Sequence, residues 1–232
     1  MPLHLDSLEQ RVIGTLIEKE LTVPDAYPLT LKALVTGCNQ KNNRDPVLEV
    51  EDFDVEGALR SLMDKSWVTR RERDGGRTMR YAHEAKAQLG VDLADLAILA
   101  ELMLRGPQAA GALKTRASSM AHVGEASDVE ARLETLAARP VPYVTRLPRR
   151  PREQQPRWAH LLDGRSGEEA VADWGDGESS GPTPVTASGG HAPRPAPVAG
   201  DPDLVDELQQ RVAELETQVD DLLRRIERLE GR

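Results

Sequence analysis

The 232-residue chain reads as a mainly α protein with small β-hairpins: two like-built halves, a disordered linker and a C-terminal coiled-coil helix. Three observations predict this: an internal repeat, a change of hydrophobic period at the same point in each copy, and a run of heptads near the end. The opening Asp54-Val55-Glu56-Gly57-Ala58-Leu59-Arg60-Ser61-Leu62 returns as Asp128-Val129-Glu130-Ala131-Arg132-Leu133-Glu134-Thr135-Leu136. Trp67-Val68-Thr69-Arg70 returns as Tyr143-Val144-Thr145-Arg146, and Arg80-Tyr81-Ala82-His83 as Arg157-Trp158-Ala159-His160, a duplication with a few inserted residues. Val55, Ala58, Leu59 and Leu62 recur at helical spacing. After Ser66 the period falls to two, and Asp74-Gly75-Gly76 supplies a tight turn before Met79 and Tyr81. A helix feeding a basic ribbon, with two more helices before it, is the order of a winged helix-turn-helix.

The first such domain is expected over 1–88 and the second over 89–162. Asp6 with Glu9 forms a capping box for a helix whose buried stripe is Leu8, Val12, Leu16 and their neighbours Ile13 and Ile17. Thr22 to Pro28 breaks it, and a second helix is predicted from Leu29 to about Gln40. The third is predicted from Asp54 to Ser66. In the second copy Asp92 caps a helix carrying Leu93, Leu96, Ala100 and Met103 that stops at Gly106-Pro107. A short helix follows over Ala109 to Ala117, and Ser127 with Glu130 reads as the capping box of the next. The turn Pro148-Arg149-Arg150-Pro151-Arg152-Glu153 lacks glycine, which predicts a longer and stiffer wing.

From Asp163 to Pro202 the composition is Gly, Pro, Ser, Ala and acidic residues without apolar periodicity, so 163–203 reads as a disordered linker, with Trp174 either incidental to it or a docking motif. In 204–232, Val205, Val212, Val219 and Ile226 alternate with Leu208, Leu215, Leu222 and Leu229. β-Branched residues at a with leucine at d favour a parallel dimer, while an apolar Leu223 at e leaves a higher oligomer open, and a lone amphipathic helix docked on the body is the alternative.

Tyr27-Pro28-Leu29, Cys38-Asn39-Gln40-Lys41 with Asn43-Arg44 and Pro46-Val47, and Leu104-Arg105-Gly106 resemble the bacterial YceH family from Leu5 to about Leu162. The resemblance implies a tandem winged-helix fold and no reaction. The linker and coil lie outside that family's usual extent.

The formal charge of −9 is unevenly spread: Met1 to Leu162 hold 23 Lys+Arg and 23 Asp+Glu, against 7 and 16 in the remainder. The body is therefore neutral, without global attraction for nucleic acid. One cysteine, Cys38, excludes an intrachain disulfide, and no stretch has the apolar length of a membrane span, so a cytoplasmic protein is expected. His4, His83, His122, His160 and His191 lack metal-ligand spacing, and no nucleophile elbow or phosphate-binding loop occurs. No catalytic residue, metal or cofactor is expected.

The candidate nucleic-acid contacts are Arg60 and Lys65 on the third helix, Arg70, Arg71, Arg73, Arg77 and Arg80 on the first ribbon, and Arg146, Arg149, Arg150 and Arg152 on the second. The loop Cys38, Asn39, Gln40, Lys41, Asn43 and Arg44 either binds or braces. Two partner readings follow. In one, a dimer held by the coil contacts double-stranded DNA through its wings. In the other, the winged helices are a protein-binding scaffold, because Asp54, Glu56, Asp128 and Glu130 would repel phosphate from the helices that should read bases.

Overall fold

Helix α1 (Ser7–Thr22) starts where its cap predicts: the Asp6 carboxylate accepts from the Leu8 and Glu9 amides at 2.9 and 2.8 Å, and Glu9 accepts in return from the Asp6 amide at 2.8 Å. The computed structural model describes residues 4–72, 78–151 and 153–175. Arg73, Arg77, Arg152, the remainder of the expected linker and all eight heptad residues from Val205 to Leu229 lie outside them.

The protein is mainly helical, with two small antiparallel sheets among the described residues. In the first half, a 3₁₀ turn (Pro24–Ala26) leads to β1 (Leu29–Thr30), α2 (Leu31–Cys38), α3 (Asp52–Asp64), β2 (Val68–Glu72), β3 (Met79–His83) and α4 (Ala85–Leu89). The sheet order is β1-β3-β2, with Leu29 opposite Tyr81 and Arg70 opposite Tyr81 on the other side. Leu29 and Thr30 therefore form a strand instead of opening the second helix. Pairing with β3 draws them in, and Thr30 caps α2 through its hydroxyl, which accepts from the Ala33 amide at 3.3 Å.

The second half comprises α5 (Leu93–Arg105), α6 (Ala110–Ala117), α7 (Ala126–Ala137), β4 (Val144–Arg146) and β5 (Trp158–His160). Gln108 and Trp158 exchange both backbone hydrogen bonds, at 3.1 and 2.8 Å, so a single bridge stands where β1 stands in the first half. Helix α7 begins one residue earlier than its expected cap at Ser127. Its cap is Glu125, whose amide donates to Asp128 at 2.8 Å, just as the Glu51 amide donates to Asp54 at 2.9 Å before α3. The acidic pair recurs with the rest of the repeat. Leu93, one of the apolar residues that mark this helix, is 46% exposed, whereas nearly every side chain from Ala94 to Leu104 is buried.

That burial reflects the position of α5, which packs against α1, α6 and β5. With Asp6 and Asp92 aligned as caps, Gly14 of α1 and Ala100 of α5 are equivalent, and the two helices cross at these small residues. A Cβ on Gly14 would sit 2.9 Å from Leu104 Cγ and 3.5 Å from the Ala100 carbonyl oxygen. One apolar core accordingly runs through both halves, from Leu5 and Ile13 through Leu99 to Leu133 and Trp158.

The expected linker begins with structure. Helix α8 (Gly167–Gly175) packs against β4, so 163–175 belong to the folded body. Gly/Ser-rich composition hid a nine-residue helix that Ser166 caps, its hydroxyl accepting from the Glu169 amide at 3.1 Å while Glu169 accepts from the Ser166 amide at 2.7 Å.

Candidate interaction surfaces

The Cys38–Arg44 loop turns its functional groups inward. Asn39 forms a two-way bridge with the backbone of Val50, donating to its carbonyl at 2.7 Å and accepting from its amide at 2.9 Å. The fully buried Arg44 guanidinium donates to the Gly37 carbonyl at 3.1 Å, to the Asn43 carbonyl at 2.8 Å and to Glu18 at 2.5 Å. Arg11, also buried, donates to the carbonyls of Cys38 and Pro46 at 3.1 and 2.7 Å. The Asp45 amide reaches the Leu104 carbonyl on α5 at 2.9 Å. The loop is thereby tied to α1, α2 and the Val50 backbone, and the adjoining Asp45 to α5. Lys41, Asn42 and Asn43 present exposed side chains, and Gln40 accepts from Lys19 at 3.4 Å. Cys38 is buried 3.7 Å from the Thr15 hydroxyl, and burial pushes its thiol pKa up, away from nucleophilic thiolate.

Most of the candidate cations are engaged within the chain. Lys65 ties the end of α3 to the start of α1, donating to Glu9 at 2.7 Å and to the His4 carbonyl at 2.9 Å. Its repeat equivalent, Arg139, likewise ties α7 to the segment before α5 through the carbonyls of Leu89 and Gly90. Arg80 donates to the Pro28 carbonyl at 2.7 Å, and its equivalent Arg157 to the Pro107 carbonyl at 3.4 Å. Arg60 pairs with Glu56 at 3.5 Å, Arg71 with Glu84 at 3.4 Å and Arg146 with Glu130 at 3.6 Å. Arg70 and Arg149 are exposed and make no ion pair among the described residues.

The third helices face solvent with carboxylates. On α3 the exposed face carries Asp52, Phe53, Gly57, Arg60 and Asp64, flanked by Glu56; on α7 it carries Ser127, Asp128, Ala131, Glu134 and Thr135. Phe53, the chain's one phenylalanine, is 68% exposed beside open space at Gly57. A helical wheel sets it opposite the Val55, Leu59 and Leu62 stripe, the one sequence signal that marks it as exposed.

Trp174 is seated rather than incidental. Its indole N–H donates to the Pro148 carbonyl at 2.9 Å, and the Arg150 guanidinium stacks 3.5 Å from its ring centre while donating to the Trp174 carbonyl at 3.3 Å. Arg157 lies 5.6 Å from the same ring. The repeated histidines are architectural: His83 and His160 each accept, through Nδ1, from the amide two residues on, at 3.2 and 3.3 Å. Burial lowers the His160 pKa to about 4.

A family described as "Protein of unknown function, DUF480" matches residues 5–153. The chain belongs to this family. Among its relatives, a UPF0502 protein of Geobacter metallireducens is 48% identical over 171 residues, covering 72% of this chain and 78% of the relative. A UPF0502 protein of Dechloromonas aromatica is 41% identical over 94% of this chain and 92% of its own length. One from Aeromonas hydrophila is 37% identical with both chains covered in full. The DUF480 match ends near Glu153, but these last two relatives align through the C-terminal stretch as well, so linker and tail are not outside the reach of the family's members. No described helix is long and apolar enough to cross a membrane.

Proposed function

We propose that this DUF480 protein is a non-enzymatic tandem winged-helix protein, as the YceH resemblance implies, whose two domains bind protein partners. The observation that carries the reading is the carboxylate-rich solvent face shared by α3 and α7. In a DNA-reading winged helix that face meets the major groove, and here Asp52, Glu56 and Asp64 against Arg60, or Asp128 and Glu134 with no exposed cation, would meet phosphate with net negative charge. The exposed Phe53 gives the first face an apolar anchor of the kind that concentrates binding energy at protein interfaces. The intramolecular engagement of Lys65, Arg80 and Arg71 removes cations that DNA contact would use.

Affinity capture from cell lysate, with and without nuclease, tests this. Capture should survive nuclease and be lost on Phe53→Ala. Capture abolished by nuclease and unaffected by Phe53→Ala would overturn it.

The DNA reading retains one specific support. Arg70 and Arg146 occupy the same position of the two hairpins, both exposed, and Arg149 extends the second. Backbone contact by paired wings would use these, with the C-terminal heptads raising affinity by pairing two chains.

A further inference from the structure

The underside of α8 packs on β4 and the turn that follows it. Gly167, Ala170, Val171 and Trp174 form one stripe toward the second hairpin, and Glu168, Glu169, Ala172 and Asp173 face solvent. At one end a Cβ on Gly167 would lie 3.1 Å from the Thr145 hydroxyl, so only a small residue fits against β4. In the middle Ala170 is 4% exposed. At the other end Trp174 stacks on Arg150 and hydrogen-bonds to Pro148. Beside Val171 an open groove of about 470 Å³ remains, lined by Arg146, Leu147, Pro148, Arg149 and Pro156.

The attachment is slight. Nine residues are too few for a helix to be stable alone in water, and α8 is held to the body by one alanine, a half-buried valine and the tryptophan clamp. Few buried apolar contacts place such an element at the low end of local opening free energies.

We infer that the outer face of the second hairpin is a helix-docking site, filled within the chain by α8 and yielded to a partner's helix that carries the same stripe of small residue, alanine or valine, and terminal tryptophan. The inference rests on the protein-binding reading and names the partner chemistry of a second surface. The site selects tryptophan because a planar guanidinium stacks on the indole while the backbone carbonyl of Pro148 takes its N–H. It excludes bulk at the first stripe position by the approach of Thr145.

The probe is a labelled peptide with the sequence of 163–175, titrated by fluorescence anisotropy into the full chain and into full-length Trp174→Ala and Ala170→Glu variants. Both substitutions unseat α8 and leave the hairpin untouched. The peptide should bind both variants, bind the unsubstituted chain at least about tenfold more weakly, and lose binding when its own tryptophan is alanine. No binding to either variant, or equal binding to all three chains, overturns the inference. That outcome leaves the third-helix reading standing, since its test turns on nuclease and Phe53 and not on α8.

Discussion

Arg44 shows how much one buried charge can organise. Its guanidinium satisfies two carbonyls and the Glu18 carboxylate in a site with no solvent access at the arginine side chain. Removing one member of such a pair strands the other, which costs about 3–5 kcal/mol. Arg44→Ala should therefore lower the urea midpoint by that equivalent, and Glu18→Gln, which keeps shape and hydrogen bonding, by less. Burial pushes the Glu18 carboxyl up, but the hydrogen bonds and charge of Arg44, aided by Lys19, outweigh it and leave its pKa below the ordinary 4.5. A carboxyl depressed in the folded state adds stability above its unfolded pKa and loses it as pH falls through the folded one. The acid limb of a melting-temperature profile, below about pH 4.5, should flatten in Glu18→Gln. His160 acts in a higher window. Its pKa is lowered from 6.5 to about 4, so between those values the unfolded chain takes up a proton that the buried imidazole refuses. Stability should fall as pH drops from 6.5 toward 4, and proton NMR should show the His160 ring untitrated until near 4. Titration at 6.5 would contradict the burial argument.

The meeting of α1 and α5 depends on Gly14. Added bulk there would press on Leu104 Cγ, whose side chain is itself buried. Overpacking of this kind costs about 1–3 kcal/mol, against roughly 1 kcal/mol that alanine gains over glycine in a helix. Gly14→Ala should destabilise the chain by about 1 kcal/mol, and the same change in a Leu104→Ala background should be neutral or stabilising; additivity of the two in denaturant melts would refute the crossing. Such features divide the legible from the illegible. The caps at Asp6 and Asp92 and the first hairpin are legible because each depends on residues close in sequence, and the repeat because its copies keep the same residue order. β1 was missed because two residues become a strand only when β3 pairs with them, and α8 because its order comes from Pro148 and Arg150, far along the chain. Lys65 and Arg80 looked like phosphate contacts for the same reason: their acceptors, Glu9 and Pro28, are more than 50 residues away.

Over the whole body, duplication has been turned into a single core with two outward surfaces. The Asp45 amide, just past the Asn39 to Arg44 loop, donates to the Leu104 carbonyl on α5 at 2.9 Å, and the Leu5 amide donates to the Leu162 carbonyl at 2.8 Å, so two backbone bonds link the halves. Each third helix carries its acidic pair at the cap. The same arrangement would suit base reading only if those faces were cationic. An anisotropy titration of a labelled random duplex of about 20 base pairs with micromolar full-length protein, repeated from low to physiological salt, is the most direct test of that distinction. The protein-contact account predicts no saturable binding even at low salt. Tight binding whose logarithm falls linearly with the logarithm of salt, with the slope reduced by about one unit per contact in Arg70→Glu and Arg149→Glu, would contradict it.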